Sequence, residues 1–522
     1  MGNIAGKIML LSGGKRCFVA ILAGVLSALS ISPSDFFIAS FVSFTLLVWL
    51  LDGISSVFGR GSSINGIGSS FFIGWLFGVG YFVAGMWWVK EVLVEHASVF
   101  LPSWIIVIFC LSIPLFLAIF HGIATSLASL FWFEGVGRIC IIACSFGFSE
   151  WLRSFLLGGG TWNSIGYAMM PIPVMMQSIH WIGLFGMNAL SVFCFASPAL
   201  FGTRQDLKIG MGMSSLLLIA HITYGMWTLE LDSGSAQNFE KNWPVVRIVQ
   251  PGINPKSTED YEKILERYLS LTAIPVSSGE KEPSIIIWAS IHFPVDRPQL
   301  LQRISSVLKK GQILVIGLPQ QEREILDGKE HYYKSVYGID SKGNILTSIS
   351  ARHLVPFAEY LPFRNILKTL RFDLSQFPKD YSAFPHSSIL ELSGQMKLYP
   401  LIFSDALFHQ EVNDDLKTVN AILNIADDLW FTSNMRGSYQ DLRYASIQAV
   451  EIGLPLIRVT NNGISAFIDS KGRILSSLSI SKGASIDIYF QPTVTSAINS
   501  EIRVRNFWII EIILFVLAII AL

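Results

Sequence analysis

Long apolar runs fill the first part of the chain, and one more run closes it. A helix needs roughly 20 predominantly apolar residues to cross a bilayer. The runs that reach or approach this length are Cys17–Ile31, Phe36–Leu51, Ser69–Val89, Leu101–Phe120, Ile139–Leu157, Val174–Phe201, Ile209–Leu229 and Phe507–Leu522. The pattern predicts a polytopic α-helical membrane protein of about eight spans.

A polar stretch of different character lies between the seventh and eighth runs. In it, short apolar runs alternate with amphipathic helical patterns. The runs predicted as buried strands are Val245–Val249, Ser284–Trp288, Ile313–Ile316, Ile345–Ser348, Leu398–Phe403 and Ala421–Ile425. The predicted helices are Tyr261–Ala273 and Leu442–Ile452. Buried strands between helices indicate sheets that are covered on their outer faces, so a layered α/β sandwich is expected.

Three segments follow from this pattern: a seven-span membrane domain over residues 1–235, a polar domain over 243–500, and a C-terminal transmembrane helix over 505–522. Basic residues in short loops favour the cytoplasmic side of a membrane. Lys15 and Arg16 precede the first run, and Arg60 follows the second. We therefore expect a cytoplasmic amino terminus, and seven crossings then place the polar domain on the opposite side.

Composition supports a membrane protein and excludes other classes. Hydrophobic residues make up 51% and charged residues 15% of the chain, whereas soluble domains are roughly a quarter charged. Lys+Arg and Asp+Glu are equal at 38 each, which argues against nucleic-acid binding. All five cysteines lie at or before Cys194 and form no CxxC pair. No disulfide framework, metal site or cofactor is therefore expected.

Several stretches together resemble the bacterial apolipoprotein N-acyltransferases. They are the glycine- and aromatic-rich run Gly74–Val89, the Trp-Asn-x-x-Gly-Tyr loop Trp162–Tyr167, the His-Leu-Val-Pro-Phe-x-Glu-Tyr-x-Pro run His353–Pro362, Asp428–Phe431, Ala449–Glu451 and Asn461–Gly463. The resemblance covers nearly the whole chain, and the motifs occur in the family's order.

This resemblance implies an external nitrilase-like αββα sandwich on the periplasmic side of the bacterial inner membrane. Such enzymes transfer an acyl chain from a phospholipid to the N-terminal diacylglyceryl-cysteine of lipoproteins. A cysteine thiolate takes the acyl group as a thioester, a glutamate acts as base, and a lysine stabilises the oxyanion. The implied partners are membrane phospholipid and diacylated lipoproteins, and a monomer is expected.

The three catalytic positions of the family are substituted here. The base position, in Trp288-Ala-Ser, holds Ser290, and the lysine position before His353 holds Ala351. The cysteine position, in Pro-Leu-Ile-Phe-Ser-Asp, holds Phe403. No change of register supplies a thiol, because residues 241–500 contain no cysteine.

Some neighbouring residues remain as candidates. Ser404 could replace the nucleophile, although no activating base is evident and Asp405 is expected on the opposite side of the strand. Arg352 could replace the lysine as a cation, although its offset by one residue predicts the opposite face of its strand. Glu359, the family's second glutamate, is retained.

Two tryptophans, Trp88 and Trp430, are candidates for substrate contact. The sequence thus predicts an apolipoprotein N-acyltransferase family protein that is impaired or inactive, because its catalytic groups are lost. The alternative is a non-catalytic descendant that binds phospholipid or lipoprotein in the inner membrane.

Overall fold

The structure is a computed structural model that describes residues 2–58, 64–91, 94, 103–156, 160–233, 243–253, 260–290, 297–322, 331–354, 359–361, 364–369, 380–383, 389–392, 396–402, 405, 416, 418–426, 428–431, 435–480, 483–490 and 498–521. The chain forms two compact units. The first combines Met1–Ser235 with Ile498–Leu522, and the second is Ala236–Ala497.

The first unit is helical. Its described α-helices are Gly2–Met9, Gly13–Ala28, Ile38–Phe58, Ile64–Gly85, Ser103–Leu130, Gly135–Leu156, Ile179–Ala196, Leu200–Thr203, Leu207–Ser233 and Ser500–Ile520. Short 3₁₀ turns at Ile165–Met169, Pro173–Met175 and Ser197–Ala199 connect some of them. The run predicted as one span over Val174–Phe201 therefore begins with a separate turn, and its helix is kinked at Gly183, where φ is 64°.

Six helices in the described part of the chain are long and apolar enough to cross a membrane. These spans are Ile38–Ser56, Ile64–Gly85, Ile106–Leu130, Gly135–Leu156, Ile179–Thr203 and Leu207–Leu231. The first and last predicted runs are also helical, but Gly13–Ala28 has only 16 residues. The last helix, Ser500–Ile520, carries charged residues such as Arg505 and Glu511. Six of the eight predicted runs thus form helices that are both long enough and apolar enough to cross a membrane.

The second unit contains two six-stranded sheets within its described residues. Their strands are β1 Val245–Gln250, β2 Ile285–Trp288, β3 Ile313–Glu322, β4 His331–Asp340, β5 Ile345–Ser350, β6 Leu390–Leu392, β7 Met396–Ile402, β8 Ala421–Ile425, β9 Leu456–Val459, β10 Ser465–Ile468, β11 Ile474–Leu478 and β12 Ala484–Tyr489. The orders are β12-β1-β2-β3-β4-β5 and β11-β10-β9-β8-β7-β6. Parallel pairing joins β1, β2 and β3 in one sheet, and β7, β8 and β9 in the other.

Side chains from both sheets form one buried core, which includes Ile287, Val336, Leu398 and Val459. The helices in this unit are Tyr261–Thr272, Arg297–Val307, Arg364–Thr369 and Met435–Ile452. The first two cover the outer face of one sheet, and Met435–Ile452 covers the outer face of the other. The order helix, sheet, sheet, helix confirms the predicted αββα sandwich.

Candidate functional site

Ser290 lies at the end of β2 and is fixed by its neighbours. It is buried, its Oγ donates to the Gly317 carbonyl (3.3 Å), and its own carbonyl accepts from Asn461 Nδ2 (2.6 Å). A Cβ on Gly317 would lie 2.7 Å from the Ser290 Cβ, which explains the glycine on the adjacent strand. Ser290 thus presents a short, buried and hydrogen-bonded hydroxyl, and its match to the family's base position stays a prediction.

Asn461 joins the ends of the two sheets. It follows β9, and its amide bonds the end of β2 through the Ser290 carbonyl. Its Oδ1 accepts from Tyr268 OH (3.0 Å), and its carbonyl accepts from the Gly252 N–H (3.1 Å). Buried amides are stable only when their polar atoms are paired. The Asn-Asn-Gly run therefore connects neighbouring strand ends through the hydrogen bonds of Asn461.

Ala351 lies directly after β5, where a lysine is expected in the family. Its side chain is buried in the core between the sheets, beside Val336 and Ile349. Its N–H donates to the Lys334 carbonyl on the neighbouring strand, at 2.8 Å. A methyl group supplies no charge, so position 351 offers no oxyanion donor of its own.

Asp405 ties the end of β7 to the end of β5. One carboxylate oxygen accepts from the Ile402 N–H (3.1 Å) and the other from the His353 N–H (3.0 Å). Strand β7 ends at Ile402, so Asp405 lies in the following turn, and the expectation of a strand position on the opposite side was wrong. Phe403 and Ser404 lie outside the described residues.

A buried ion pair occupies the same region. Lys334 Nζ donates to Glu359 Oε1 at 2.7 Å, and both side chains are at most one-tenth exposed. The ammonium also lies 4.9 Å from the centre of the Tyr381 ring. Next to this pair, burial raises the pKa of the Tyr360 phenol. Glu359 thus has a cationic partner, Lys334 of strand β4.

Sequence reasoning overlooked Lys334, because strand β4 itself was not predicted. In the structure Lys334 is the single lysine of β4, where Val336 and Tyr337 are almost fully buried. Lysines are rarely buried unless they are paired. A lysine in the middle of a buried strand therefore predicts a partner carboxylate.

Arg352 follows Ala351, just beyond the end of β5, and makes different contacts. Its guanidinium is 4.7 Å from the centre of the Tyr399 ring and donates to the Tyr399 hydroxyl. Tyr399 belongs to the cluster under the outer helix Met435–Ile452. Arg352 therefore contacts a tyrosine on the outer face of the other sheet, and its role as a replacement cation stays untested.

In the helical unit, Trp88 packs against the Trp-Asn-x-x-Gly-Tyr loop. Its ring centre lies 5.4 Å from that of Trp162, and Trp88 is buried. Arg153 donates to the Trp162 carbonyl (2.9 Å), and Tyr81 OH donates to the Asn163 carbonyl (3.0 Å). The contact of Trp88 with substrate stays a prediction. For Trp430 the structure describes only the backbone, within the turn Asp428–Phe431.

Comparison with known proteins matches both units. A family model described as "Carbon-nitrogen hydrolase" matches residues 246–488, and one described as "Apolipoprotein N-acyltransferase N-terminal domain" matches residues 23–197. An amidase from Nesterenkonia sp. AN1 is 14% identical, with a TM-score of 0.33, and the alignment covers 47% of this chain and 92% of the amidase. The molecule is thus a membrane protein with a carbon–nitrogen hydrolase domain.

Full-length relatives identify the family. The chain is 42% identical to the apolipoprotein N-acyltransferase of Rhizobium rhizogenes and 40% identical to that of Allorhizobium ampelinum. Each alignment covers 100% of this chain and 98% of the relative. The chain therefore belongs to the apolipoprotein N-acyltransferase family, as the motifs predicted.

Proposed function

We propose that this chain binds the substrates of its family, a phospholipid acyl ester and an N-terminal diacylglyceryl-cysteine, without carrying out thioester acyl transfer. It does so in the bacterial inner membrane with residues 243–500 on the periplasmic side, as a monomer and without nucleic acid. One observation carries the proposal: residues 241–500 contain no cysteine, and Ser290, Ala351 and Phe403 stand where the motif match expects the base, the lysine and the thiol.

The chemistry explains why these substitutions matter together. A thioester needs a cysteine thiolate, and the five cysteines of this chain all precede residue 195. A serine nucleophile would need an adjacent base that accepts its proton. Asp405, the described carboxylate nearest in sequence to Ser404, accepts backbone N–H groups of Ile402 and His353. Its oxygens are thus engaged in holding two strand ends.

The retained contacts support a binding role. Asn461, Asp405 and Gly317 hold the strand ends together although the catalytic groups are gone. Glu359 is also retained and is paired. These contacts preserve the shape of a site whose polar groups can still orient an ester. Losing members of a catalytic unit costs at least about 10⁴-fold in rate, so turnover by this site is expected to be negligible.

The test is complementation. The chain is expressed in bacteria depleted of their own N-acyltransferase, and lipoprotein N-termini are analysed by mass spectrometry. The expected result is diacylated lipoprotein, while the Rhizobium rhizogenes relative, expressed to the same level in the membrane, yields the triacylated form. Triacylated lipoprotein from the natural chain would overturn the proposal, and Ser404, Arg352 and Glu359 would then be mutated first.

Binding is tested separately from turnover. A photoreactive phospholipid in membrane vesicles should label the natural chain, and diacylated lipopeptide should reduce the labelling. Glu359→Gln, which leaves Lys334 without its carboxylate, should weaken the competition, while Glu501→Gln, at an exposed position of the last helix, should not. Absence of specific labelling would contradict the binding role.

A further inference from the structure

The register of β4 and β5 places Lys334 opposite Ala351. Ser335 pairs with Ser350 and Val336 pairs with Ile349 in an antiparallel ladder. The next pair in this register is Lys334 and Ala351, and the Ala351 N–H donates to the Lys334 carbonyl at 2.8 Å. Residues directly opposite each other in antiparallel strands extend to the same face, with Cβ atoms about 5 Å apart.

That face is the interior between the two sheets. Val336, which shares the face of Lys334, and Ile349, which shares the face of Ala351, both lie in the core built from both sheets. Lys334 is only 8% exposed. Its stem therefore starts beside position 351 and on the same side of the sheet, and its ammonium reaches Glu359 Oε1.

We propose that Lys334 supplies, from the neighbouring strand, the positive charge that position 351 no longer carries. Its ligand is the carbonyl oxygen of an acyl ester, and Glu359 and the Tyr381 ring position the ammonium for it. In the natural chain this is a binding contact, and no bond is made or broken. The inference rests on the proposed function, because it takes the phospholipid ester as the ligand.

Arg352 does not compete for this role in the described geometry. Its guanidinium lies over Tyr399, on the outer face of the other sheet, and away from the interior face that Lys334 and Ala351 share. Among the described side chains near Ala351, Lys334 is the cation that shares its face. A cation within hydrogen-bond reach of an ester carbonyl stabilises the oxygen most when negative charge develops on it.

Restored variants test the proposal through activity. Ser290→Glu with Phe403→Cys returns the base and the thiol but leaves Ala351. If Lys334 acts as the cation, this double variant should yield triacylated lipoprotein in the depleted strain. Adding Lys334→Met should lower the yield roughly 10²–10³-fold, the usual cost of one oxyanion donor. Adding Ala351→Lys to that variant should restore the yield, because the charge returns to the opposite position.

The outcomes separate the two proposals. Activity of Ser290→Glu/Ala351→Lys/Phe403→Cys without activity of the double variant would overturn the role of Lys334. Full activity of the double variant after Lys334→Met would also overturn it. Neither result changes the outcome for the natural chain, on which the proposed function depends. A merely structural lysine would reduce the amount of protein in the membrane, and a lysine at 351 would not correct that loss.

A second readout needs no turnover. With the five natural cysteines replaced by alanine, Phe403→Cys provides a single thiol, whose alkylation by iodoacetamide is followed against pH. A nearby ammonium stabilises the thiolate. Lys334→Met should therefore move the midpoint to higher pH, Lys334→Arg should leave it near its original value, and Ala351→Lys should reverse the effect of Lys334→Met. A midpoint that is the same with and without Lys334 would overturn the proposal.

Discussion

Arg458 is the most deeply buried cation in the described part of the sandwich domain. It lies on β9, its side chain has no exposed surface, and it bonds Asp428 (2.7 Å), Asp441 (2.8 Å) and Asn424 (2.7 Å). Burial disfavours the charged guanidinium, but the carboxylates of Asp428 and Asp441 outweigh this effect and raise the Arg458 pKa. The network connects strands β8 and β9 to the outer helix Met435–Ile452.

Replacing Arg458 with methionine should destabilise this domain strongly. Removing one partner of a buried ion pair costs about 3–5 kcal/mol, because it leaves the other charges buried and uncompensated. At about 2 °C or more per kcal/mol for a domain of this size, the unfolding temperature should fall by roughly 6 °C or more. Thermal denaturation of the purified protein in detergent measures this shift.

Lys309→Met is the matched control for that prediction. Lys309 also forms an ion pair with a carboxylate, that of Glu282, but these two side chains are 59% and 48% exposed. Exposed pairs contribute about 1 kcal/mol or less. The control should therefore shift the unfolding temperature little, and equal shifts for the two variants would show that burial of Arg458 does not matter.

At the scale of elements, glycines set the distance between two helices of the membrane unit. A Cβ on Gly80 would lie 2.1 Å from the Ile21 carbonyl oxygen, and a Cβ on Gly24 would lie 1.9 Å from the Phe77 carbonyl oxygen. Helices Gly13–Ala28 and Ile64–Gly85 thus approach backbone to backbone. In lipid, small residues allow such close packing, which provides much of the association between helices.

Gly80→Val should separate these two helices. The valine side chain would overlap the backbone of Ile21, which cannot move aside as a flexible side chain does. Overpacking costs about 1–3 kcal/mol, so the free energy of unfolding should fall by at least this amount. Gly68→Val in the same helix is the control, because no heavy atom lies within 4 Å of its ideal Cβ. The unfolding temperature in detergent should fall for Gly80→Val only. A similar fall for both variants would show that the close contact with Ile21 is not the cause, since valine is a better helix former than glycine.

The elements that the sequence predicts well are those with an uninterrupted apolar pattern. Strands Val245–Gln250, Ile285–Trp288 and Ala421–Ile425 lie within a residue or two of their predicted bounds. Strand β4 was missed, because His331–Asp340 carries tyrosines, serine and a lysine that break the apolar pattern. It pairs on both sides, with β3 and β5, and the assembled sheet shows that it is an interior strand.

The site is predictable in part for a related reason. The motif match names Ser290, Ala351 and Glu359, the first two just after predicted strands and Glu359 within the run His353–Pro362. The partner of Glu359 is not predictable in this way, because Lys334 lies near it only when β4 pairs with β5 in the observed register. That register depends on which strands pair and on the irregularity between Gly338 and Ile339, and local sequence determines neither.

At the scale of the whole molecule, the side of the membrane on which the polar domain lies determines which ligands it can meet. Basic residues in short loops predict a periplasmic location for residues 243–500. In a variant without the natural cysteines, Lys310→Cys provides an exposed thiol in the sandwich domain, and Lys208→Cys provides one beside a membrane helix. A membrane-impermeant maleimide should label Cys-substituted position 310 in intact spheroplasts, and position 208 only after permeabilisation.

A third position, the exposed Lys15→Cys at the start of Gly13–Ala28, decides between odd and even numbers of crossings before the domain, because positions 208 and 310 are separated by a single helix. Six helices meet the criteria for spans, so an even number would return the domain to the side of the amino terminus unless Gly13–Ala28 also crosses. That helix is short, but it packs closely on Ile64–Gly85 through Gly80 and thus lies against a membrane helix. Short helices can span where the bilayer thins locally. Labelling of position 208 alone in intact spheroplasts would reverse the orientation and place the ester site on the cytoplasmic side.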